Sequence, residues 1–536
     1  MTQSQIKENQ KPSLIHWSDF AADRIIRQNG EKKLYTLASG ITPSGVVHFG
    51  NFRETITVDL VARALRSRGK EVRFIFSWDD YDTFRKIPKN MPKQDELEKY
   101  LFRPIVETPD PYGREDSYAA HHEVNYEAQL KKTGIKVEPI YHAKKYRNGD
   151  YNEQIRETLK KTVKIKEILN KHRSSPLSDD WLPLSIYCEK CNTDKIDLMK
   201  FNEKNDSISY TCGNCSFDGE ENISTSKRLK LPWRLDWPMR WVYEDVDFEP
   251  GGKDHSSQGG SFTTGKELVK EVYGGKPPIY LQYDFVSIKG GSGKMSSSSG
   301  EVVTVNDVLQ IYEPEILRYI FASYKTNIDF SVSFDLDVIK VYEDFDRMER
   351  LAFGIDKGNE KKVAMAKKVY ALSQLEKAPD QCPIQPSFRH LCNVIQINSG
   401  SLEKTLNYYH KDMKNDWDKR RLTNRANCAI NWLEKYAPED FKFSVNKEKI
   451  NQSLNENEKS FFKTLNEELT NNWNEYKTDK DVHEAMYKII HSVEGLEPTA
   501  IFPKIYQRLI NKEKGPKLAG FIRTIGKEDS TKLLSL

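Results

Sequence analysis

The sequence lacks long apolar runs, a strong excess of one charge and any abundance of cysteine. No stretch approaches the ~20 apolar residues that a membrane-spanning helix needs, so we expect no membrane partner. Residues 1–13 are polar and contain no apolar core or small-residue cleavage site of a secretory signal, which favours a cytoplasmic protein. The formal net charge of +4, from 83 Lys and Arg against 79 Asp and Glu, neither requires nor excludes a nucleic-acid partner.

The first third of the chain alternates strand-like and helix-like segments. Lys33–Ser39 and Glu71–Ser77 are rich in apolar and aromatic residues and have the length of strands. Asn51–Arg68, between them, carries apolar residues on one helical face. A strand, helix and strand of these lengths predict a βαβ unit, and therefore a parallel sheet.

The alternation of strand-like and helix-like segments is interrupted once, resumes and then stops. Residues 91–230 break it with two cysteine pairs and a long charged helix predicted over Asn152–His172, and it resumes over residues 231–330. Residues 331–536 show mostly helical periodicity. We therefore predict an α/β fold in which residues 1–90 and 231–330 form one parallel-sheet domain, interrupted by an insertion and followed by an all-α domain.

The segment Thr42–Asn51 follows the first predicted strand and opens the helix. Gly45 and Gly50 let the backbone approach a ligand closely, and a helix N-terminus attracts anions. His48 adds an imidazole at the same place, so the segment suits a phosphate ester. The competing interpretation is a structural turn in which His48 only caps the helix.

A second glycine- and serine-rich segment, Lys289–Ser298, follows a strand-like run and carries Lys294. Such a loop can fold over a polyphosphate, with a lysine ammonium meeting the charge that develops there. It is not a Walker loop, because Ile288 and Met295 stand where that motif needs glycine and serine or threonine. The alternative is a flexible surface loop.

Taken together, the two segments resemble the H-x-G-H and K-M-S-K-S elements of class I aminoacyl-tRNA synthetases. Asn51 replaces the second histidine and Ser297 the second lysine, and both departures are usual in the class I lysyl-tRNA synthetases. Further blocks resembling that family are Trp78–Asp82, Pro232–Trp241, Gly252–His255 and Gly515–Leu518. The resemblance therefore covers essentially the whole chain.

The resemblance implies a Rossmann-like catalytic domain and a helical domain that binds the anticodon. It implies ATP-dependent conversion of lysine to lysyl-adenylate and transfer to the 3′ end of tRNA(Lys), with Mg²⁺ accompanying ATP. His48 and Lys294 would be catalytic. The implied ATP-binding residues are Pro43, Ser44, Gly45, His48, Gly50, Asn51, Lys294, Met295, Ser296, Ser297 and Ser298. We expect the enzyme to be a monomer.

The lysine-binding residues are also expected from the resemblance. They are Gly40, Thr42, Asp79, Asp80, Trp233, His255, Tyr280 and Tyr283. The partner of the lysine ammonium is left open between Asp79 and Asp80, and the aromatic wall between Tyr280 and Tyr283.

Four of the seven cysteines form two C-x-x-C pairs, which are Cys188 with Cys191 and Cys212 with Cys215. Twenty residues separate the pairs, a spacing that matches a tetrahedral four-thiolate zinc ribbon. Since all four ligands would come from the protein, the sequence predicts a structural Zn²⁺.

Two other functions compete with this hypothesis. One is a different class I enzyme such as glutamyl-tRNA synthetase, whose substrate would need an arginine, for which Arg234 or Arg240 is available. The other is a non-catalytic RNA-binding protein built on the zinc ribbon, which leaves the order of His48 and Lys294 unexplained.

Overall fold

The computed structural model describes residues 16–256, 259–289 and 302–536. The chain divides into two compact units. The first comprises the described residues up to Val308 together with Pro314–Val332 and Leu351–Ala378, and the second comprises Leu309–Glu313, Ser333–Arg350 and Pro379–Leu536. Residues 351–378, which the sequence analysis assigned to the helical domain, lie in the first unit.

All strands in the described residues belong to the first unit. In chain order they are β1 (Leu34–Ile41), β2 (Glu71–Trp78), β3 (Glu138–Tyr141), β4 (Ser185–Ile186), β5 (Ile196–Asn202), β6 (Ser207–Cys212), β7 (Asp218–Asn222), β8 (Leu229–Lys230), β9 (Val246–Gly252), β10 (Ile279–Tyr283), β11 (Val286–Ile288) and β12 (Phe330–Val332). The largest sheet has five parallel strands in the order β10-β9-β1-β2-β3.

The helices account for most of the remaining regular structure. They are α1 (Trp17–Asn29), α2 (Phe49–Arg66), α3 (Gln94–Leu97), α4 (Tyr118–Lys132), α5 (His142–Asn148), α6 (Asn152–Lys160), α7 (Thr162–Asn170), α8 (Trp233–Tyr243), α9 (Ser261–Glu271), α10 (Val305–Leu309), α11 (Pro314–Ser323), α12 (Asp337–Ala352), α13 (Glu360–Ser373), α14 (Phe388–Ile397), α15 (Leu402–Tyr408), α16 (Asp416–Lys435), α17 (Glu456–Asn472), α18 (Asp479–Ser492), α19 (Pro498–Ile510), α20 (Leu518–Ile525) and α21 (Lys527–Leu534).

The predicted βαβ unit is confirmed. β1 and β2 run parallel in register from Leu34 opposite Glu71 to Ile41 opposite Trp78, and α2 connects them. The middle of α2 is buried because its apolar residues recur with helical spacing. The predicted α/β class is therefore correct.

The direction of strand addition changes at β1. From this strand the chain adds β2 and β3 on one side, and later β9 and β10 on the other. In a parallel sheet of this kind, ligands bind beyond the carboxyl ends of the strands at such a switch point. Gly40, near the end of β1, is required there, because a Cβ atom would lie 2.7 Å from the carbonyl oxygen of Ser77.

The insertion contains two small antiparallel sheets, β4-β8 and β5-β6-β7. The prediction of one helix over Asn152–His172 is wrong, because α6 and α7 are separated at Lys161. Lys161 leaves the helical conformation at φ −102° and ψ 19°, and its ammonium contacts the carbonyl oxygen of Val272. A tertiary contact thus accompanies the break.

The second unit is helical in its described part, containing α14 to α21 and most of α12. Its core is built from apolar side chains of α17 to α21, among them Phe461, Phe462, Ile501 and Phe521. The prediction that helices dominate the last part of the chain is confirmed.

Within the described ranges, the structure contains no helix both long and apolar enough to cross a bilayer.

Candidate functional site

The loop between β1 and α2 places His48 at the N-terminus of α2. His48 occupies the N-cap position with extended backbone, at φ −92° and ψ 165°. The side-chain oxygen of Asn51 accepts a hydrogen bond from the His48 N–H at 3.1 Å, and the Asn51 N–H donates to the His48 carbonyl at 2.9 Å. Asn51 therefore fixes the start of the helix, a role that suits asparagine as a hydrogen-bonding side chain.

Described residues lie on both sides of the segment that carries Lys294. Lys294, Met295, Ser296, Ser297 and Ser298 lie outside the described residues. On the near side, the Lys289 N–H donates to the Val332 carbonyl at 2.8 Å. On the far side, the Val303 carbonyl accepts from the Phe49 N–H at 2.7 Å, directly after His48. The chain thus returns to the His48 end of α2 nine residues after Lys294.

A cavity of about 250 Å³ opens at the carboxyl end of β1, and we name it the His48 cavity. Its walls bring together candidates from distant parts of the sequence. They are Gly40, His48, Gly50, Asn51, His255 and Tyr283. The pocket lies where the strand order reverses, as expected for a ligand site in this kind of sheet.

A second cavity of about 90 Å³, the tryptophan cavity, shares Gly40, Glu54 and His255 with the first. Trp233 and Trp237 stack in its wall, with ring centroids 5.2 Å apart at an interplanar angle of 15°. The Trp233 ring lies 5.8 Å from that of His255. The candidates Trp233 and His255 are therefore neighbours in the structure.

Glu54 lines both cavities, and the sequence analysis did not identify it. Its carboxylate accepts hydrogen bonds from the Tyr283 hydroxyl at 2.8 Å, the Ser39 hydroxyl at 2.9 Å and the Gly40 N–H at 3.2 Å. Burial raises the pKa of Glu54 above its usual range. No basic side chain among the described residues forms an ion pair with it, so an ammonium group would find an unmatched acid here.

Glu249, in β9, is a second buried carboxylate of the tryptophan cavity that the sequence analysis missed. The Trp241 indole N–H donates to it. Burial raises the pKa of Glu249 to about 7, and the nearby Glu54 adds to the effect. Within the described part of the chain it too lacks an ion-pair partner.

The two aspartates predicted to bind lysine have partners in the protein. Asp79 lies in the wall of the tryptophan cavity and accepts from the Arg240 guanidinium at 2.6 Å. Asp80 lines neither cavity, and its carboxylate accepts from the Ala143 N–H at 2.7 Å. Burial raises the pKa of Asp80 to about 7. The geometry favours Glu54 and Glu249 over both as partners for an ammonium.

The two tyrosine candidates differ in position. Tyr283 lines the His48 cavity and orients Glu54 through its hydroxyl. Tyr280 lines neither cavity; it donates to the Gly252 carbonyl at 3.1 Å and stacks on Phe262 with ring centroids 3.9 Å apart. The structure therefore places Tyr283 nearer to a ligand than Tyr280.

The remaining candidates of the first loop lie outside both cavities. Pro43 and Gly45 are buried in the loop. The Ser44 carbonyl accepts from the Tyr118 hydroxyl at 3.2 Å, and the Thr42 hydroxyl donates to Asp82 at 3.2 Å. Thr42 and Ser44 line a separate cavity.

The four predicted zinc ligands converge. Their sulfur atoms all lie within 4.8 Å of one another, with 3.7 Å between Cys188 and Cys215 and 3.6 Å between Cys191 and Cys212. Four thiolates at ~2.3 Å from one tetrahedral ion would be roughly 3.8 Å apart. The cluster therefore fits a structural zinc site.

Each cysteine pair is shaped by the same kind of turn. The N–H of Asn192 donates to the Cys188 carbonyl at 2.8 Å, and that of Ser216 to the Cys212 carbonyl at 2.9 Å. Asn192 and Ser216 both have positive φ values, 58° and 54°. The two turns thus aim both sulfurs of each pair toward one point.

Comparison with protein families agrees with this geometry. The family model described as tRNA synthetases class I (K) matches residues 15–376, more than half of the chain. The chain is thus a class I aminoacyl-tRNA synthetase. Within that class, the chain belongs to the class I lysyl-tRNA synthetase family.

Curated relatives match over nearly their whole length. A lysine–tRNA ligase of Borreliella burgdorferi is 48% identical over 521 residues, covering 97% of this chain and 99% of the relative. A lysine–tRNA ligase of Treponema pallidum is 41% identical over 529 residues, with 97% and 98% covered. A lysine–tRNA ligase of Pyrococcus horikoshii is 38% identical over 535 residues, with 98% and 100% covered.

Proposed function

We propose that this chain is a lysine–tRNA ligase that activates lysine with ATP and esterifies it to the 3′ end of tRNA(Lys). The observation that carries the proposal is that the His48 cavity and the tryptophan cavity share Gly40, Glu54 and His255. The loop proposed to bind phosphate thereby adjoins a pocket with two carboxylates that form no ion pair within the described residues. That combination suits a substrate with two ammonium groups and a reacting carboxylate.

The reaction has two balanced steps. The lysine carboxylate attacks the α-phosphorus of ATP, pyrophosphate leaves, and lysyl-adenylate forms. A ribose hydroxyl of the terminal adenosine then attacks the lysyl carbonyl, AMP leaves, and the hydroxyl proton is released. Neither step needs a protein nucleophile, so catalysis depends on positioning and charge neutralisation.

On the ATP side, we assign the loop from Pro43 to Asn51 and the segment from Lys294 to Ser298 as the binding residues. The N-terminus of α2 and His48 would meet the α-phosphate, while Lys294 would neutralise the β- and γ-phosphates. Mg²⁺ bound to ATP would supply further neutralisation of the phosphates.

On the lysine side, we assign Glu54 and Glu249 to the two ammonium groups. Trp233 and His255 complete the wall, and Tyr283 holds Glu54 in place. A glutamate substrate does not suit this pocket. Arg240 already pairs with Asp79 and Asp236, and Arg234 is exposed.

Aminoacylation of a mixed tRNA pool with each amino acid in turn tests the proposal. Lysine alone should be attached, and the charged tRNA should be tRNA(Lys). Charging with glutamate, or the absence of any charging by a folded protein, would contradict it. The latter result would instead support a non-catalytic RNA-binding protein.

Lysine binding should depend on pH through Glu249. A carboxyl with a pKa of about 7 is mostly neutral at pH 6 and mostly charged at pH 8, and an ammonium ligand prefers the charged form. We expect the Kd for lysine to fall about 10-fold from pH 6 to pH 8 when measured by calorimetry. Glu249→Gln should bind more weakly and with a smaller pH dependence than the parent, and equal pH profiles for the two proteins would exclude Glu249 as the source.

We further propose that Cys188, Cys191, Cys212 and Cys215 hold one structural Zn²⁺. Because zinc binding contributes to folding free energy, Cys212→Ser should lose the metal and melt about 5 °C or more below the parent. Cys382→Ser, which changes a half-buried thiol outside the cluster, serves as the control. One equivalent of zinc retained by Cys212→Ser, measured by elemental analysis, would refute this assignment.

For the second unit, we propose binding of the anticodon. A groove of about 750 Å³ in this unit is lined by several cations and aromatic rings. They include Arg389, Lys442, Lys512, Lys514, Lys517, Phe441 and Phe443. Cations that track phosphates and rings that stack on bases are the usual means of binding single-stranded RNA. Gly515 shapes the groove, because a Cβ atom would lie 2.9 Å from the Tyr506 ring.

A further inference from the structure

Arg53 lies in α2 five residues after His48 and is a buried cation, with 2% of its surface exposed. It forms no ion pair with a carboxylate of the described ranges, and its Nε has no hydrogen-bond partner among them. Burial lowers the pKa of Arg53 to about 10, so the guanidinium stays charged at neutral pH. Because an unpaired buried charge costs stability, a role other than stabilising the fold is indicated for Arg53.

Arg53 contacts the end of α11, the start of β12 and the loop between them, which together we name the α11–β12 connection (residues 321–330). Its Nη2 donates to the carbonyls of Lys325 and Thr326, at 3.1 Å in both cases. Its guanidinium carbon also lies 4.9 Å from the ring centroid of Phe330. A single side chain thus attaches α2 to this connection by both polar and ring contacts.

The same connection holds one wall of the His48 cavity. Phe285 and Val286 line that cavity, and we name them the Phe285 wall. The Thr326 carbonyl also accepts from the Asp284 N–H, at 2.8 Å. The Asp329 carboxylate accepts from the Phe285 N–H at 2.8 Å, and β11, which begins at Val286, runs parallel to β12. The position of the Phe285 wall therefore depends on the α11–β12 connection.

α2 itself supplies a second part of the cavity. Asn51 and Glu54 line the cavity from this helix, and Arg53 extends from the same turn to the α11–β12 connection. Since these residues share one helix, a change in the distance between Arg53 and Thr326 would move the Phe285 wall relative to Asn51. The contacts of Arg53 therefore help to set the width of the His48 cavity.

We propose that Arg53 is a positioning residue of the nucleotide site, which holds the Phe285 wall at the distance from α2 that bound ATP requires. The inference rests on the proposed function, since it takes the His48 cavity to bind ATP. Arg53 lines neither the His48 cavity nor the tryptophan cavity. It therefore acts through the backbone of the α11–β12 connection and not by touching the phosphates.

Arg53→Met separates this role from a contribution to folding. The substitution removes the donors and a buried charge that has no described carboxylate partner, so the melting temperature should stay within about 3 °C of the parent or rise. In tRNA charging with ATP as the varied substrate, kcat/KM for ATP should fall about 10- to 100-fold, mostly through KM, as expected when binding groups are misplaced by about 1 Å. The Kd for lysine, measured by calorimetry, should be unchanged, because Tyr283 stays paired with Gly252 through β10 and β9.

Amide hydrogen exchange tests the contact without relying on activity. In Arg53→Met, the amides of Asp284 and Phe285 should exchange about 10-fold faster than in the parent, whereas those of β1 should keep the parental rates. Arg53→Lys, which retains a donor for the carbonyls of the connection, should recover part of both losses. The matched control is Arg66→Met, which removes an exposed arginine at the other end of α2 that donates to the Val72 carbonyl at 3.4 Å and should behave as the parent.

The outcomes distinguish this inference from the proposed function. Parental kinetics with ATP in Arg53→Met would overturn the inference, as would unchanged amide exchange at Asp284 and Phe285. Equal losses for ATP and lysine together with a lower melting temperature would also overturn it, because they indicate a purely structural role. Failure of the parent itself to charge tRNA(Lys) with lysine would instead contradict the proposed function, and amide exchange would still decide whether Arg53 holds the Phe285 wall.

Discussion

Replacing His48 by asparagine is expected to slow lysyl-adenylate formation about 100- to 1,000-fold, the usual cost of losing one donor to transition-state charge. Asparagine is a good N-cap residue, so the start of α2 should be preserved. The substitution therefore separates catalysis by the imidazole from capping of the helix. Lysine-dependent exchange of pyrophosphate into ATP measures the rate.

His410→Asn, at an exposed histidine of the second unit, is the matched control and should keep the parental rate. The melting temperature of His48→Asn should stay close to that of the parent. A parental exchange rate in His48→Asn would show that His48 only caps α2, which is the structural alternative raised by the sequence.

Glu54→Gln is expected to lower kcat/KM for lysine by about 100-fold or more. Truncating one partner of a buried charge pair costs about 2–5 kcal/mol, and the amide keeps the shape of the side chain while removing its charge. The amide oxygen would still accept from the Gly40 N–H, and the amide NH2 could donate to the Tyr283 hydroxyl. Most of the loss should appear in the KM for lysine, measured by tRNA charging at pH 7.

Glu123→Gln provides a control of the same chemistry. Glu123 is a buried carboxyl of α4 outside the His48 and tryptophan cavities, and burial raises its pKa to about 8. Since it is largely neutral at pH 7, an amide should replace it there with little effect. Equal losses in both variants at pH 7 would indicate general disruption of the fold instead of lost lysine recognition.

The parts of the fold that the sequence predicted depend on local signals. β1, α2 and β2 are predicted because the hydrophobic periodicity, the segment lengths and the positions of the glycines can all be read from about 45 consecutive residues. The cysteine pairs are predicted for the same reason, because the spacing of the cysteines along the sequence is itself typical of a tetrahedral four-thiolate site. Both features are confirmed by the register of β1 with β2 and by the sulfur distances.

The carboxylates of the lysine pocket illustrate what local signals miss. Asp79 and Asp80 are both candidates because both follow a strand, yet Arg240, remote in sequence, pairs with Asp79, and the Ala143 N–H donates to Asp80. Glu54 and Glu249 stand within buried elements where an isolated acid carries little local signal. Both line the tryptophan cavity, because β9, which carries Glu249, pairs with β1, the strand that leads into α2 and Glu54. Which acids remain unmatched is therefore a property of the tertiary structure.

The β4–β8 ribbon has a consequence for how this architecture can change. Ser185 lies opposite Lys230 and Ile186 opposite Leu229, so residues 187–228 depart and come back within one strand spacing, ~4.8 Å. A tight turn is long enough to join Ile186 to Leu229, whereas the residues between them contribute Tyr187, Ile208 and Tyr210 to a core shared with Tyr81 and Tyr146. The β4–β8 junction is therefore a position at which a different folded segment could be inserted into the first unit.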